Sequence, residues 1–182
     1  PKPVVKKPET PQKLFEPLTK ESSAVKQESP TLVAVDLAKL PLKIGENWTL
    51  NRAEGQCQLS YKKHFMDDGQ GQTPVFLTIS GNEITFRTKS NIDTSYPQTG
   101  VTIDELAQFP IERLSNDYSI RYQQGYQTLT DTLKEGKQAT LTLGFWPTWP
   151  ISQTYSLDFD LSDLPSAYQS LTTCITLENE LK

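Results

Sequence analysis

From Gly45 onward the sequence is built of short segments in which apolar and polar residues alternate, and this period of two constrains the fold more than any other feature. WTLN, CQLSYKKHF, PVFLTIS, NEITFRTKS, GVTID, YSIRYQQ, ATLTLGFW and TYSLDFDL follow one another, separated by Gly, Asn, Asp and Pro. Successive side chains of a strand point to opposite faces, so a segment of period two buries one face and wets the other. Such segments at close spacing predict a mostly β protein, a single antiparallel sandwich or barrel of about seven to nine strands. The inward positions are Leu59, Val75, Leu77, Ile79, Ile84, Phe86, Ile120, Leu141, Leu143, Leu157 and Phe159. In the 74–90 region Gly81-Asn82 sits between two alternating runs, a two-residue hairpin signal because both positions tolerate positive φ.

Helical signals are fewer. SDLPSAYQSLTTC predicts one short C-terminal helix, capped by Ser162 or Asp163, with Pro165 in its first turn and Leu164, Tyr168, Leu171 and Cys174 or Ile175 on one face. In DELAQF, residues 104–109, Asp104 is placed as an N-cap for a turn or two of helix that Pro110 ends. In YQTLTDTLKEGK, residues 126–137, a short helix stopped at Gly136 competes with a strand.

Residues 1–30 read differently. They are rich in Pro, Lys, Glu and Ser, with six lysines against four glutamates, and carry too few large apolar side chains to offset chain entropy. A disordered Pro/Lys-rich arm is expected there, followed by one domain over 31–182 whose boundary is the more apolar TLVAVDLAKLPL. The chain begins with Pro1 and not Met, which leaves room for an export signal or membrane tether upstream. No apolar run reaches the ~18–20 residues of a spanning helix.

Cys57 lies near the start of the alternating region and Cys174 near its end. In an oxidising compartment the pair would close a long loop and join the C-terminal helix to the sheet; two buried free thiols are the alternative. Together with the arm, the pair points to an extracytoplasmic, periplasmic setting.

The sequence is poor in catalytic chemistry. A net charge of −4 gives no attraction to phosphate backbones, so no nucleic acid is expected as a partner. His64 is the sole histidine, it reads as a surface residue beside a Gly-rich loop, and no G-x-S-x-G elbow accompanies it. Asp67-Asp68-Gly69 lacks the later ligands of a calcium loop and reads as a hairpin connection. Asp158, Asp160 and Asp163 form a denser group, either a weak cation site or acidic residues that complement a helix N-terminus. The expectation is a non-enzyme without metal or cofactor.

The run GFWPTWP is where contact chemistry concentrates. Leu141, Leu143 and Phe145 share one face of their strand and Trp146 falls on the other, while Pro147 and Pro150 prevent a central strand from continuing. Rigidly held tryptophans are frequent energetic anchors of interfaces, so Phe145, Trp146 and Trp149 are the candidate partner-binding residues, with Trp149 as a plug for the open end of the sheet as the alternative. Trp146, Trp149 and Tyr122 are the alternative candidates for stacking on a glycan; Tyr122 also fits a half-buried strand face with Tyr118 and Ile120.

The order of landmarks resembles two families of bacterial envelope proteins. Trp48 before Cys57-Gln58-Leu59, a run of hairpins, a late aromatic strand and a helix bearing Ala167-Tyr168, Leu171 and Cys174 is similar to the N-terminal β domain of MotY-type flagellar T-ring proteins. It is also similar to the invasion-associated locus B family. The first resemblance implies a disulfide-bonded domain that docks on other periplasmic proteins, although MotY-type proteins continue into an OmpA-like peptidoglycan-binding domain and this sequence ends at Lys182. The second implies a small exported β protein, in a family that usually carries more than two cysteines. The resulting expectation is a non-enzymatic protein–protein interaction module of a Gram-negative envelope assembly, with a glycan- or peptidoglycan-binding module as the alternative.

Overall fold

The computed structural model describes residues 34–147 and 152–182. The expected arm, and Trp149 with its neighbours Thr148, Pro150 and Ile151, lie outside the described residues.

Two antiparallel sheets face each other. The larger follows the order β1 (Leu42–Ile44), β2 (Trp48–Ala53), β3 (Gln56–Tyr61), β5 (Gln72–Ile79), β6 (Ile84–Arg87), β11 (Ser119–Tyr122) and β10 (Arg113–Ser115), with β4 (His64–Asp67) also paired to β5. The smaller runs β13 (Tyr155–Asp160), β12 (Gln138–Phe145), β8 (Gly100–Ile103) and β9 (Ala107–Pro110), with β7 (Ile92–Asp93) paired to the end of β12. Phe159 of β13 bridges them, packing edge-on against Tyr61 at 5.0 Å and against Phe86 at 5.6 Å. Of the expected inward residues all are buried except Leu157, which is partly buried against the core.

The turns depart from the sequence expectation in an instructive way. The β5–β6 hairpin stands where predicted, yet neither Gly81 nor Asn82 has positive φ. The Ser80 carbonyl accepts the Tyr126 hydroxyl at 2.7 Å, and Gly81 is selected by closeness instead: a Cβ there would lie 3.1 Å from Ile175 Cδ1. Positive-φ pairs occur at Glu54-Gly55, Asp104-Glu105 and Asn116-Asp117, the conformation that matches the twist of tight hairpins. Asp104 therefore begins no helix. It turns β8 into β9, and its carboxylate accepts from Lys137 N at 3.0 Å and Gln138 N at 2.9 Å, anchoring the entry to β12.

Residues 126–137 resolve in favour of helix, as α1 (Tyr126–Glu135). Leu129 and Leu133 are buried, and the Glu112 carboxylate accepts from the amides of Gln123, Gln124 and Gly125, the last of them the N-cap, just ahead of the helix. Partial burial opposes ionisation of Glu112, but the three amides outweigh it and hold its pKa below the ordinary value.

The C-terminal helix, α2 (Leu164–Glu180), is longer than predicted. Its buried stripe continues from Leu164, Ala167, Leu171 and Cys174 to Glu178, because that carboxylate finds Arg52 Nε at 2.7 Å and Cys57 N at 3.2 Å. Asp163 stands at the N-cap position but makes no capping bond; its carboxylate accepts Glu46 N across the sheet at 3.1 Å. Cys57 and Cys174 form a disulfide with Cα atoms 6.0 Å apart, joining β3 to α2 across 117 residues of sequence.

Candidate functional site

β5 runs from the β4–β5 turn to the β5–β6 turn, and β6 returns, so the loops divide between two ends. One end carries the β2–β3 and β5–β6 turns and is covered by α1 and α2, through the disulfide, the Arg52–Glu178 pair and the Tyr126–Ser80 bond. The other carries the β4–β5, β6–β7 and β10–β11 loops and the exit of β12. Backbone bonds join these: Thr88 N to Tyr118 O and Ile92 N to Asp117 O, both at 2.8 Å, and Trp146 N to Asn91 O at 3.0 Å. The Ser90 hydroxyl donates to Asp68, tying the β4–β5 turn to the same group.

Trp146 emerges from this loop end 56 % exposed, on a cis peptide to Pro147. Its amide bond to Asn91 holds the backbone, while its side chain borders a pocket of about 410 Å³ with Asn91, Asp93, Thr94, Leu114 and Asp117. An aromatic face beside short polar side chains offers dispersion contact and hydrogen bonds together. Trp146 thus lies on the exposed side, opposite the face of Phe145.

The other candidates separate from it. Phe145 is 3 % exposed and faces the core with Leu141 and Leu143, tilted against Tyr155 at 6.4 Å, so it is corrected from a contact residue to a core residue. Tyr122 is 2 % exposed and its hydroxyl donates to the Phe109 carbonyl at 3.1 Å, which removes it from any glycan surface. Desolvation, with a smaller effect from Glu112, raises the Tyr122 pKa, so the phenol stays a donor. Both share a strand face with residues read as inward, Phe145 with Leu141 and Leu143 and Tyr122 with Ile120, and both are buried with that face.

His64 is not a surface residue. Its ring is half-buried, stacked on Phe159 at 5.7 Å and edge-on to Tyr61 at 5.3 Å. Desolvation first, then the charge of Lys62, lower its pKa against the opposing effect of a hydrogen bond to the Asp158 backbone. The acidic group near the C-terminal helix disperses into separate bonds: Asp158 accepts from Thr140, Asp160 from Ser162 N, and Asp163 from Glu46 N. Among the described residues no cluster of His, Cys, Asp and Glu is placed to hold a metal ion. Among the described residues no helix is long and apolar enough to cross a membrane.

A larger groove, which the sequence reading did not single out, lies beside the Trp146 pocket. It measures about 910 Å³ and lies over the polar face of the smaller sheet, where Thr102, Thr142 and Ser156 project, between the Thr94–Gly100 segment and the Phe109–Leu114 connection. Alternating threonines in GVTID and ATLTLGFW were its only trace in sequence.

Fold and site together define a disulfide-bonded, two-sheet β domain with an aromatic loop end. No family model matches the chain, and no solved structure does. A segment covering 32 % of the chain is 42 % identical over 60 residues to Cadherin-2 of Mus musculus, and it spans 6 % of that protein's length.

Proposed function

We propose that this chain is a non-enzymatic interaction module of a bacterial envelope assembly, working in an oxidising, periplasmic compartment and docking a protein partner through its Trp146 loop end. The observation that carries the reading is Trp146 itself: a large aromatic side chain, more than half exposed, on a backbone fixed by Asn91. An anchor held in place before contact loses little entropy on binding, the condition under which a single Trp dominates an interface. The cystine supports the compartment, since such bonds persist where thiols are oxidised. The order of Trp48, Cys57, hairpins, late aromatic strand and Cys174-bearing helix supports the likeness to MotY-type and locus B domains. The Cadherin-2 segment is a likeness over a third of the chain and brings no partner with it.

A second reading, a glycan-binding module, is favoured by one observation. The pocket at Trp146 has polar walls, with Asn91, Asp93, Thr94 and Asp117 beside the indole.

The test is affinity capture from solubilised Gram-negative envelopes with the parent chain and a Trp146→Ala variant as paired baits, with pelleting on purified sacculi alongside. A protein held by the parent and lost by the folded variant is the expected result. Identical captures from both baits would remove the docking reading, and Trp146-dependent pelleting with sacculi would favour the second.

A further inference from the structure

We infer that the groove over the outer face of the smaller sheet is a binding cleft for a neutral oligosaccharide chain, continuous with the Trp146 pocket. This deepens the glycan reading and rests on it only for the Trp146 end.

Thr94 and Leu114 line both the groove and the Trp146 pocket, so the two form one track. Each volume, about 910 and 410 Å³, lies within the ~300–1,000 Å³ range of small-molecule sites, and the pair end to end suits an elongated ligand.

The floor is made of short hydroxyl side chains in cross-strand register. Ser156 pairs with Thr142, and Thr142 with Gly100, while Thr102 stands two residues further along β8 on the same face. Thr142 and Ser156 hydroxyls already bond each other at 2.9 Å, which fixes their rotamers before a ligand arrives. Gly100 carries no side chain in this row because the neighbouring backbone fills the space: a Cβ there would meet Phe109 O at 2.2 Å and Pro110 Cα at 3.0 Å, and φ is +131°.

The wall is aromatic. Tyr96 lies so close over Gly144 that a Cβ there would be 2.2 Å from its ring, and its hydroxyl is closed off without a hydrogen-bond partner among the described residues. The contact it offers the groove is therefore apolar. Gln98 and Gln108 supply carboxamides at the rim.

A pyranose has an apolar C–H face and a ring of hydroxyls that both donate and accept. Aromatic wall, hydroxyl floor and carboxamide rim match those three properties. Charge argues against an anionic ligand, because the joined track carries Asp93, Glu112 and Asp117 against Arg113, and Glu112 is already engaged by the amides ahead of α1. Geometry argues against an added peptide strand, because the floor is the side-chain face of the sheet and not an unpaired edge.

The experiment is a titration of the full chain, followed by amide and indole NMR shifts, with chitotetraose, cellotetraose and maltotetraose as probes. The expected result is saturable shifts at Gly100, Thr102 and Thr142 together with the Trp146 indole for at least one probe. Tyr96→Ala should weaken that binding about tenfold, the loss of one aromatic contact, while Tyr96→Phe should retain it. Thr102→Arg, on the solvent face, blocks the floor without touching the core and should abolish it. Shifts confined to Trp146, Asn91 and Asp117 would reject the cleft while leaving the Trp146 glycan reading intact. Groove shifts unaffected by Trp146→Ala would support the cleft and reject that reading. No saturable shift with any probe would overturn the inference.

Discussion

The two ends of the sandwich are built on opposite principles. At the helix-covered end the ties are redundant: a cystine, the buried Glu178 carboxylate on Arg52 and Cys57 N, and the Tyr126 hydroxyl on Ser80 O with Tyr168 3.1 Å beyond it. At the loop end, single backbone and hydroxyl bonds join neighbouring loops, and Trp146 is left more than half exposed. Covering one end with two helices supplies stability that the other need not provide, and an exposed Trp or a hydrophilic groove adds little to folding. Binding chemistry is then expected where stabilising chemistry is thin.

The strongest way to break that comparison is to open the cystine. A Cys57→Ser, Cys174→Ser double variant should lose about 4–5 kcal/mol by the loop-closure account, measured as unfolding free energy from urea melts with the slope fitted for each variant. A loss under about 1 kcal/mol would mean that apolar packing alone pins α2. Next in size is Glu178→Gln. Glu178 is 8 % exposed but Arg52 is partly solvated, so a loss of about 1–2 kcal/mol is expected, and Arg52→Ala in the Gln background should add less than it does alone.

Acid sharpens the comparison in a different place, the stacked His64. Its folded pKa lies below the ordinary 6.5, first through desolvation and then through Lys62, so below pH 6.5 the unfolded chain binds more protons than the folded one. Stability should be level above that point and fall as pH drops toward the folded value, and His64→Gln should remove this part of the slope in chemical melts. Asp68 and Asp160 are lowered as well. Partial burial resists the shift at Asp68, where Ser90 and backbone amides outweigh it; at Asp160 the Ser162 amide leads. Their contribution is present above the ordinary carboxylate range and disappears only at lower pH. The smallest expected effect on stability is that of Trp146→Ala, within about 0.5 kcal/mol by thermal melt. A large destabilisation there would show that the loop end is structural after all, and would end the contrast between the two regions.

Much of the fold was legible because strand period is a local signal. Leu141, Leu143 and Phe145 were placed on one face and Trp146 on the other by counting residues, and that division is the one observed. The candidate site was less legible. Tyr122 and Phe145 were offered as contact residues although each shares a strand face with residues read as inward, and the groove beside Tyr96 involves residues from several separated segments with no motif in common. Asp104 misled for a related reason: the residue types that cap helices are also those that tolerate the positive φ of a hairpin turn, and only the amides of Lys137 and Gln138 show which use prevailed.

By itself, then, the sequence determined the β class, the two-residue alternation of core and surface, the hairpin at residues 80–83 and the existence of a helix bearing Cys174, because each follows from contacts within a few residues. Tertiary structure alone decided between a cystine and two free thiols at Cys57 and Cys174, that Glu178 is buried against Arg52, and that the threonines of β8 and β12 floor a groove. Those outcomes depend on which surface another segment covers, information that local periodicity does not carry.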